Sequence, residues 1–272
     1  MDKLRYLYSR ILRKLASHWL NPLYTIYFNF IFFPFRQAVH FPVYIYGWPR
    51  LYSQYGKMEC AGMCKRGMVR INLTLPDAPQ AAVGNTQLNI WGKVIFRGRC
   101  KIATSCNILV REEGTLDIGH DVRIGAFINI TVYSQVSIGC HSRIAHRSQI
   151  MDSNFHYLVD FTRNRIKNRT SPIAIGNYCW ICNSTTISGG AIIPDKTIVA
   201  SNSLIGKDLS SIPEESIVGG VPAKLISTGF RRVENLLLEK KIHQFFHQNP
   251  DAKFYPLPKD IEHSCCDSDD DF

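Results

Sequence analysis

One histidine of the chain stands in a setting that favours proton transfer. His156 lies in a polar segment between Ile150 and Ile175. A hydroxyl group is a poor nucleophile until its proton has an acceptor, and imidazole has a suitable pKa for that task near neutral pH. The alternative interpretation is a surface-loop histidine with no role in chemistry. The setting makes His156 the candidate general base.

Two polar residues lie just before this histidine. Asp152, four positions earlier, could hold the imidazole in the correct tautomer, bind an acceptor hydroxyl, or only stabilise a turn. Asn154 is a candidate contact to the acceptor molecule. We assign Asp152 to the catalytic pair and Asn154 to substrate binding, with the choice among the three roles of Asp152 left open.

The elements around this segment follow a six-residue repeat of aliphatic residues. The step is unbroken at six positions: Ile175, Ile181, Ile187, Ile193, Val199 and Ile205. Amphipathic helices place apolar residues three and four positions apart, and half-buried strands alternate, so neither produces this period. Earlier runs keep the same step at two places: Ile118, Ile124 and Ile130, and Ile138, Ile144 and Ile150.

A period of six is typical of a β-solenoid, in which each short strand turns one aliphatic side chain toward a narrow interior. The repeat predicts a single array from about Ile71 to Ile226, against the alternative of ordinary short strands in a sandwich. The segment 151–174 interrupts this array. Such insertions form loops on one face of a solenoid, commonly the binding face. The candidate base therefore lies where function is expected.

The chain has nine cysteines at uneven spacing, and two pairs of them invite a metal or redox interpretation. The pairs are Cys179 with Cys182, and Cys60 with Cys64. In the six-residue register Cys179 occupies the small-residue position and Cys182 a corner, so both fit the repeat. The ligand spacing of recognisable zinc sites is absent. The sequence predicts free thiols and no metal site.

Three strings give the chain a resemblance to a known family. They are Ile175-Gly176-Asn177-Tyr178-Cys179-Trp180-Ile181, Met151-Asp152-Ser153-Asn154-Phe155-His156, and Gly219-Gly220-Val221-Pro222-Ala223-Lys224. Together with the repeat, they resemble the hexapeptide-repeat acyltransferases, in particular the branch of maltose and galactoside acetyltransferases and surface-polysaccharide O-acetyltransferases. The resemblance implies an all-β fold, a left-handed parallel β-helix of hexapeptide repeats with helical N- and C-terminal extensions.

The resemblance also implies a donor, an acceptor and an assembly. The donor is acetyl-CoA and the acceptor a saccharide hydroxyl, and His156 matches the general base of the family. A homotrimer is implied because the family completes each site between two subunits. Trp180 matches a tryptophan that lines the thioester channel, and five more residues match the donor groove: Asn183, Ser201, Gly206, Lys207 and Lys224. The sequence departs from the family pattern at Cys182, at 192–194 and at Asn202.

Two alternatives come from different classes of protein. The γ-class carbonic anhydrases also have hexapeptide repeats, and they hold a metal ion with three histidines from two subunits. His120, His141 and His146 suggest such an arrangement, but it leaves His156 and Trp180 unexplained. The other alternative is a non-catalytic trimeric β-helix scaffold with a membrane-binding N-terminus.

Composition limits the class of protein further. The chain has 272 residues, 45% hydrophobic and 20% charged, with a formal net charge of +10, which predicts a globular protein with acidic partners. No nucleic-acid-binding motif accompanies the basic residues, so an anionic membrane face or a phosphorylated molecule such as CoA is favoured over nucleic acid. No secretory signal pattern is recognised, and this favours a cytoplasmic protein, with peripheral association at the inner membrane face as a second prospect.

The repeat divides the chain into three parts. These are a basic, aromatic, helical extension, a β-helix with its inserted loop 151–174, and a C-terminal helix with an acidic tail, over residues 1–60, 61–228 and 229–272. Within the first part, apolar spacing predicts an amphipathic helix from Leu4 to about Leu20. An aromatic run follows it, which either caps the coil or lies in a membrane interface. In the last part a helix is expected from Glu234 to His247.

Overall fold

The computed structural model describes residues 19–74 and 84–257, and its body is a coil of short strands. Successive strands pass through three sheets, which we call faces one, two and three in the order in which the chain visits them. This is the fold class that the repeat and the resemblance predict, a left-handed parallel β-helix with helical extensions at both ends.

Face one contains nine strands within the described residues. In order across the sheet they are β1 (Val43–Ile45), β4 (Val69–Leu73), β7 (Cys100–Ala103), β10 (Val122–Ile124), β13 (Arg143–Ile144), β18 (Trp180–Ile181), β21 (Ile198–Val199), β23 (Ser216–Gly220) and β24 (Ala223–Thr228). Neighbouring strands are parallel except for the last pair, in which β24 runs antiparallel to β23.

The other two faces are parallel sheets. Face two comprises β2 (Arg50–Ser53), β5 (Gln87–Ile90), β8 (Asn107–Val110), β11 (Asn129–Val132), β14 (Gln149–Met151), β19 (Thr186–Ser188) and β22 (Leu204–Ile205). Face three comprises β3 (Lys57–Cys60), β6 (Lys93–Phe96), β9 (Thr115–Ile118), β12 (Gln135–Ile138), β17 (Ile173–Ile175) and β20 (Ile192–Ile193). Outside the coil, β15 (Leu158–Asp160) and β16 (Arg165–Lys167) form an antiparallel hairpin.

The interior of the coil is a stack of aliphatic side chains contributed by all three faces. On face one the register pairs Ile102 with Ile124, Ile124 with Ile144, and Ile144 with Ile181. The six residues of the unbroken run are all buried: Ile175, Ile181, Ile187, Ile193, Val199 and Ile205. Each such side chain contributes about 1.5 to 3 kcal/mol through burial. The six-residue step is therefore confirmed as the period of one stacked interior.

The corners between faces bring the backbones of successive turns close together. A Cβ atom added at Gly139 would lie 2.4 Å from the carbonyl carbon of Gly176 in the next turn, so a larger residue does not fit there without movement. Two positions further on in each turn, His141 and Tyr178 take the left-handed conformation, with φ of 57° and 55°. Their rings stack with centroids 4.6 Å apart, which helps to hold an otherwise unfavourable backbone.

The first described helix, α1 (Pro22–Phe32), covers the start of the coil. The Asn29 side-chain amide donates to the Val43 carbonyl oxygen at 2.8 Å and accepts from the Val43 amide at 3.1 Å. The Thr25 hydroxyl accepts from the Ile45 amide at 3.0 Å. These side chains take up the hydrogen-bonding groups on the open edge of β1, which an uncapped solenoid would expose. The aromatic run thus caps the coil.

The coil begins earlier than the sequence indicated. We expected residues 1–60 to be a helical extension, but β1, β2 and β3 place residues 43–60 in the three faces. Aromatic residues interleave with the aliphatic ones here and obscure the period. A short helix, α2 (Phe35–Ala38), connects α1 to the coil. The helix expected from Leu4 to Leu20 lies outside the described residues except for its last two positions, which are not helical.

The chain after the coil returns across face one. Residues 229–235 lie against this face, where the Arg143 side chain donates to the Glu234 carboxylate at 3.1 Å. The final described helix, α3 (Leu236–Gln248), begins and ends within two residues of the expected bounds. The acidic tail lies outside the described residues. None of the helices in the described part of the chain is long and apolar enough to span a bilayer.

Candidate active site

The coil is interrupted at the corner where face two meets face three. Between β14 and β17 the chain leaves the coil as an arm, residues 152–172, which includes the hairpin of β15 and β16. The Ser171 amide donates to the Asp152 carbonyl oxygen at 2.9 Å, and the Asn154 amide donates to the Arg169 carbonyl oxygen at 2.9 Å. The inserted arm therefore leaves and re-enters the coil at one root.

Asp152 stabilises this root rather than the candidate base. Its side chain is fully buried, and its oxygens accept backbone hydrogen bonds from Tyr133, Ser134 and Gln135 at 2.8, 2.7 and 2.8 Å. Among the described residues no hydrogen bond joins this carboxylate to the His156 ring. Of the three roles that the sequence left open, the geometry fits the turn-stabilising one. The assignment of Asp152 to a catalytic pair stays a prediction.

His156 lies near the start of the inserted arm, and its side chain is exposed. Its backbone amide donates to the Asn154 carbonyl oxygen at 2.7 Å, and the Asn154 side chain is also exposed. The preceding residue, Phe155, packs edge-on against the Tyr133 ring with centroids 5.8 Å apart. The imidazole is thus open to solvent on a backbone that is anchored to the coil.

Sequence reasoning missed a cluster of cations and aromatic rings beneath this backbone. The Arg169 guanidinium lies 5.4 Å from the centroid of the Tyr133 ring and 5.2 Å from that of the Tyr157 ring. Arg111 lies 5.7 Å from the same Tyr133 centroid. Contacts of this kind contribute about 0.5 to 1 kcal/mol each at exposed sites. A signal was present, since Arg111 and Tyr133 follow paired strands at equivalent corner positions in successive turns.

A pocket of about 360 Å³ lies on face two, on the same side of the coil as the arm. Gly206 and Lys207, two of the residues matched to the donor groove, line it together with Ser188 and Ala223. Because β14 pairs with β19, which ends at Ser188, the pocket begins one rung below the root of the arm. Lys224 follows Ala223 and is exposed. Three of the six matched donor residues therefore lie at or beside this pocket.

The other three matched donor residues lie elsewhere on the coil. Trp180 is a half-buried residue of β18 on face one, and the Arg232 guanidinium lies 5.1 Å from its ring centroid. Asn183 and Ser201 lie at the corner between faces one and two. The Ser201 hydroxyl donates to the Asn183 side-chain oxygen at 2.7 Å.

Within one chain, the topology places Trp180 and His156 on opposite sides of the coil. The arm carrying His156 leaves the corner between faces two and three, and face one lies opposite that corner. Ile181 points into the interior, so the neighbouring Trp180 projects outward from face one. The interior of the coil therefore lies between the Trp180 ring and the His156 ring of the same chain.

The three histidines of the carbonic anhydrase alternative do not converge within one chain. His120 and His141 occupy the corner between faces three and one in successive turns, with ring centroids 5.5 Å apart. His146 lies at the corner between faces one and two. In the part of the chain that the structure describes, no group of three His, Cys, Asp or Glu side chains is arranged to hold a metal ion.

A cluster of buried charges lies on the outside of face one. Arg143 donates to the Asp121 carboxylate at 2.6 Å as well as to Glu234. Burial alone would raise the pKa of Asp121, but the hydrogen bond with His141 and the charge of Arg143 outweigh it, and the pKa lies well below its usual range. The cluster holds the C-terminal segment against the coil.

The described cysteines are free thiols: Cys60, Cys64, Cys100, Cys106, Cys140, Cys179 and Cys182. Burial raises the pKa of Cys179 to about 12, and burial also raises the pKa of Cys182. A thiol with a raised pKa is a poor nucleophile and a poor metal ligand. Both residues occupy the positions in the repeat that their spacing indicated.

The stacked strands, each contributed by one six-residue repeat, define the class of fold: this is a hexapeptide-repeat β-helix protein. No family model matches the chain. The chain is 30% identical over 112 residues to WcaF of Escherichia coli K12, which is named as a colanic acid biosynthesis acetyltransferase. The match covers 41% of the chain and 57% of WcaF. The chain is 28% identical over 121 residues to WbbJ of the same organism, which is named as a lipopolysaccharide biosynthesis O-acetyl transferase. This match covers 42% of the chain and 60% of WbbJ.

The chain thus spans less than two thirds of the length of these curated relatives. Among solved structures, the polysialic acid O-acetyltransferase OatWY is 21% identical, with 70% of this chain and 99% of that chain covered and a TM-score of 0.45. Over 41% and 42% of its length, the chain is thus similar to two proteins named as acetyltransferases of surface-polysaccharide biosynthesis, in agreement with the resemblance that the repeat and the three strings carry.

Proposed function

We propose that the protein is an acyl-CoA-dependent O-acyltransferase, with acetyl-CoA as the donor and a sugar hydroxyl of a surface polysaccharide or glycan precursor as the acceptor. Similarity to proteins named as acetyltransferases supports this class of reaction, and the names of these relatives, which refer to colanic acid and lipopolysaccharide biosynthesis, support the acceptor. The observation that carries the proposal is the placement of His156, exposed on an anchored arm one rung above a pocket that Gly206 and Lys207 line.

In the proposed reaction His156 is the general base. Its ring takes the proton of the acceptor hydroxyl while the hydroxyl oxygen attacks the thioester carbonyl carbon. The tetrahedral oxyanion collapses with cleavage of the carbon–sulfur bond, and the imidazolium returns the proton to the leaving thiolate. The products are the sugar ester and free CoA. Backbone amides or a neighbouring side chain supply the contact to the oxyanion.

The pocket beside the arm is the proposed path of the donor. Lys207 lines the pocket and Lys224 lies beside it, and ammonium groups at a solvent edge suit the phosphates of a nucleotide. A Cβ atom at Gly206 would lie 2.7 Å from the Ser188 hydroxyl oxygen, so glycine leaves the backbone of this wall accessible. The exposed Asn154 side chain is the proposed contact to the acceptor, on the same arm as the base.

The second half of the site is proposed to come from another copy of the chain. Trp180, Asn183 and Ser201 are separated from His156 by the width of the coil, so they can reach its arm only from a neighbouring subunit. Three copies related by rotation would repeat this contact three times and close the ring. We therefore propose a homotrimer with three shared sites.

The reaction is tested by release of free CoA thiol from acetyl-CoA, against a panel of oligosaccharides and nucleotide sugars. Replacement of a general base lowers the rate by about 10²–10⁴-fold, and this loss is expected for His156→Ala. His243→Ala, an exposed histidine of α3, is the matched control and is expected to keep wild-type activity. Thiol release that is unchanged in His156→Ala would refute the proposed base, whereas absence of thiol release from the wild-type protein would favour a scaffold.

The shared site is tested by co-expressing two variants, His156→Ala and Trp180→Ala, so that both assemble into the same oligomers. Each variant alone is expected to be inactive. If His156 of one subunit works with Trp180 of the next, random assembly leaves about one quarter of the sites with both native residues, and about that fraction of activity returns. If both residues acted within one chain, no mixed site would contain the pair. Activity no higher than that of the separate variants would therefore contradict the shared site.

A further inference from the structure

The outward face of α1 carries an apolar stripe that nothing in the described residues covers. The inward face of the helix caps the coil, with Phe28 and Phe32 in the core. The outward face carries four large side chains at helical spacing, which we call the outer stripe: Leu23, Ile26, Tyr27 and Phe30. Leu23 is 77% exposed, and Phe35 of α2, which packs against Phe30, is 73% exposed. A capping helix does not need two apolar faces.

Exposed aromatic residues of the first turns extend this surface. The Tyr24 ring lies between Tyr27 and Trp48, with centroids 5.8 and 5.6 Å away. The Gln54 side chain donates to the Tyr27 hydroxyl at 2.8 Å, which joins α1 to the loop after β2. Trp48, Tyr52 and Tyr55 are all exposed. Tyrosine and tryptophan combine an apolar ring with a polar group, as residues at the boundary of water and lipid do.

The charge of this part of the chain is of one sign. From Lys3 to Met58 the sequence contains no aspartate or glutamate. The described cations in this range are exposed, and they are Arg36, Arg50 and Lys57. Arg36 directly follows the exposed Phe35. An apolar and aromatic surface in a segment whose described charged residues, up to Met58, are all cations complements an anionic interface, and the identical surface of a second copy would be repelled.

We propose that the outer stripe, with Phe35 and the adjoining aromatic residues, binds an anionic lipid bilayer. The apolar side chains enter the boundary between head groups and acyl chains, the tyrosine and tryptophan rings lie at its level, and the arginines approach the lipid phosphates. The coil is held by its cap end, and the inserted arm lies several rungs away from the lipid. This surface is independent of the proposed acyl transfer, because it shares no residue with the arm or the pocket.

The test uses the full chain in co-sedimentation with vesicles of pure phosphatidylcholine and with vesicles containing about one third phosphatidylglycerol. Wild-type protein is expected to bind the anionic vesicles preferentially and to be released by salt. The double variant L23S/F35S should lower the partition coefficient about tenfold or more, because two side chains no longer enter the apolar layer. Arg36→Gln and Arg50→Gln should each lower it about fivefold.

The matched control is F254S/L257S, which removes the same residue types at positions that are 83% and 68% exposed in the C-terminal segment. It should bind vesicles as the wild type does, and all variants should unfold at the wild-type temperature. Equal binding by L23S/F35S and wild type would overturn the proposal, as would absence of binding to the anionic vesicles. If binding is absent and L23S/F35S changes the mass measured by light scattering, a second copy covers the stripe instead of lipid.

Discussion

Removal of the Asp152 carboxylate is expected to destabilise the root of the inserted arm, and not merely to slow a reaction. The buried carboxylate accepts three backbone hydrogen bonds from residues 133–135. Each buried donor left without a partner costs about 1 to 3 kcal/mol, so Asp152→Ala, which removes the acceptor of three donors, is expected to cost about 3 to 9 kcal/mol. In a chain of this size each kcal/mol lowers Tm by about 2 to 4 °C, so a fall in Tm of roughly 6 °C or more is expected. Asp152→Asn keeps one acceptor oxygen and should lie between.

Two measurements check this expectation. Circular dichroism follows thermal unfolding, and hydrogen exchange with mass spectrometry follows the amides of residues 133–135, which should lose protection in Asp152→Ala. Asp160→Ala is the control on the same arm. The Asp160 carboxylate pairs with Arg163 and Arg165 at 3.4 and 3.3 Å near the surface, where such pairs contribute about 0 to 1 kcal/mol.

The opposite result would support the predicted catalytic role of Asp152. If Asp152→Ala kept the wild-type Tm and the protection of those amides but lost acetyl transfer, the carboxylate would act on the imidazole in solution. The structural role requires loss of stability and loss of amide protection together. A fall in activity alone does not distinguish the two, because His156 depends on the same root for its position.

Three further predictions concern the coil itself. Asp121→Asn should lower Tm near neutral pH, and the difference in Tm from the wild type should narrow below about pH 4. The reason is that a carboxylate whose pKa is held low in the folded protein loses its stabilising effect as it becomes protonated. Thermal unfolding measured across the acid range checks this. Iodoacetamide should leave Cys179 unmodified in the native protein and alkylate it after unfolding, as followed by mass spectrometry, because its pKa is raised to about 12. Gly139→Ala should cost at least about 2 kcal/mol in chemical denaturation, because its Cβ would lie 2.4 Å from the backbone of the next turn.

The sequence specifies the coil wherever aliphatic residues alone fill the interior. From Ile175 to Ile205 each strand presents one aliphatic residue to the interior at a fixed six-residue step, and each of these residues is buried. The first turns could not be read in this way because Tyr44, Tyr46 and Trp48 stand between the interior residues and break the visible period. A strand of the coil requires apolar residues only at its interior positions, so aromatic side chains can occupy its outward positions.

The site was only partly predictable because its residues act through contacts between distant turns. The break in the period places His156 on an arm, and this follows from local sequence alone. The partners of Asp152 lie 17 to 19 positions earlier, and no local pattern reports them. Each matched donor residue rests on the family pattern alone, which contains no information about the face of the coil on which it lies. That Gly206 and Trp180 lie on different sides of the coil becomes clear only from the strand register.

The two ends of the coil determine how copies of the chain can associate. At the first rung, side chains from α1 occupy the main-chain groups to which another strand would add. At the last rung of face one, β24 runs antiparallel to β23, so a strand from another copy could not extend this sheet in the parallel order of the coil. On face one, addition of a parallel strand from another copy is therefore disfavoured at both ends of the coil. The contact between copies that we propose then lies on the flanks of the coil, where rotation about an axis along the coil would yield a finite particle.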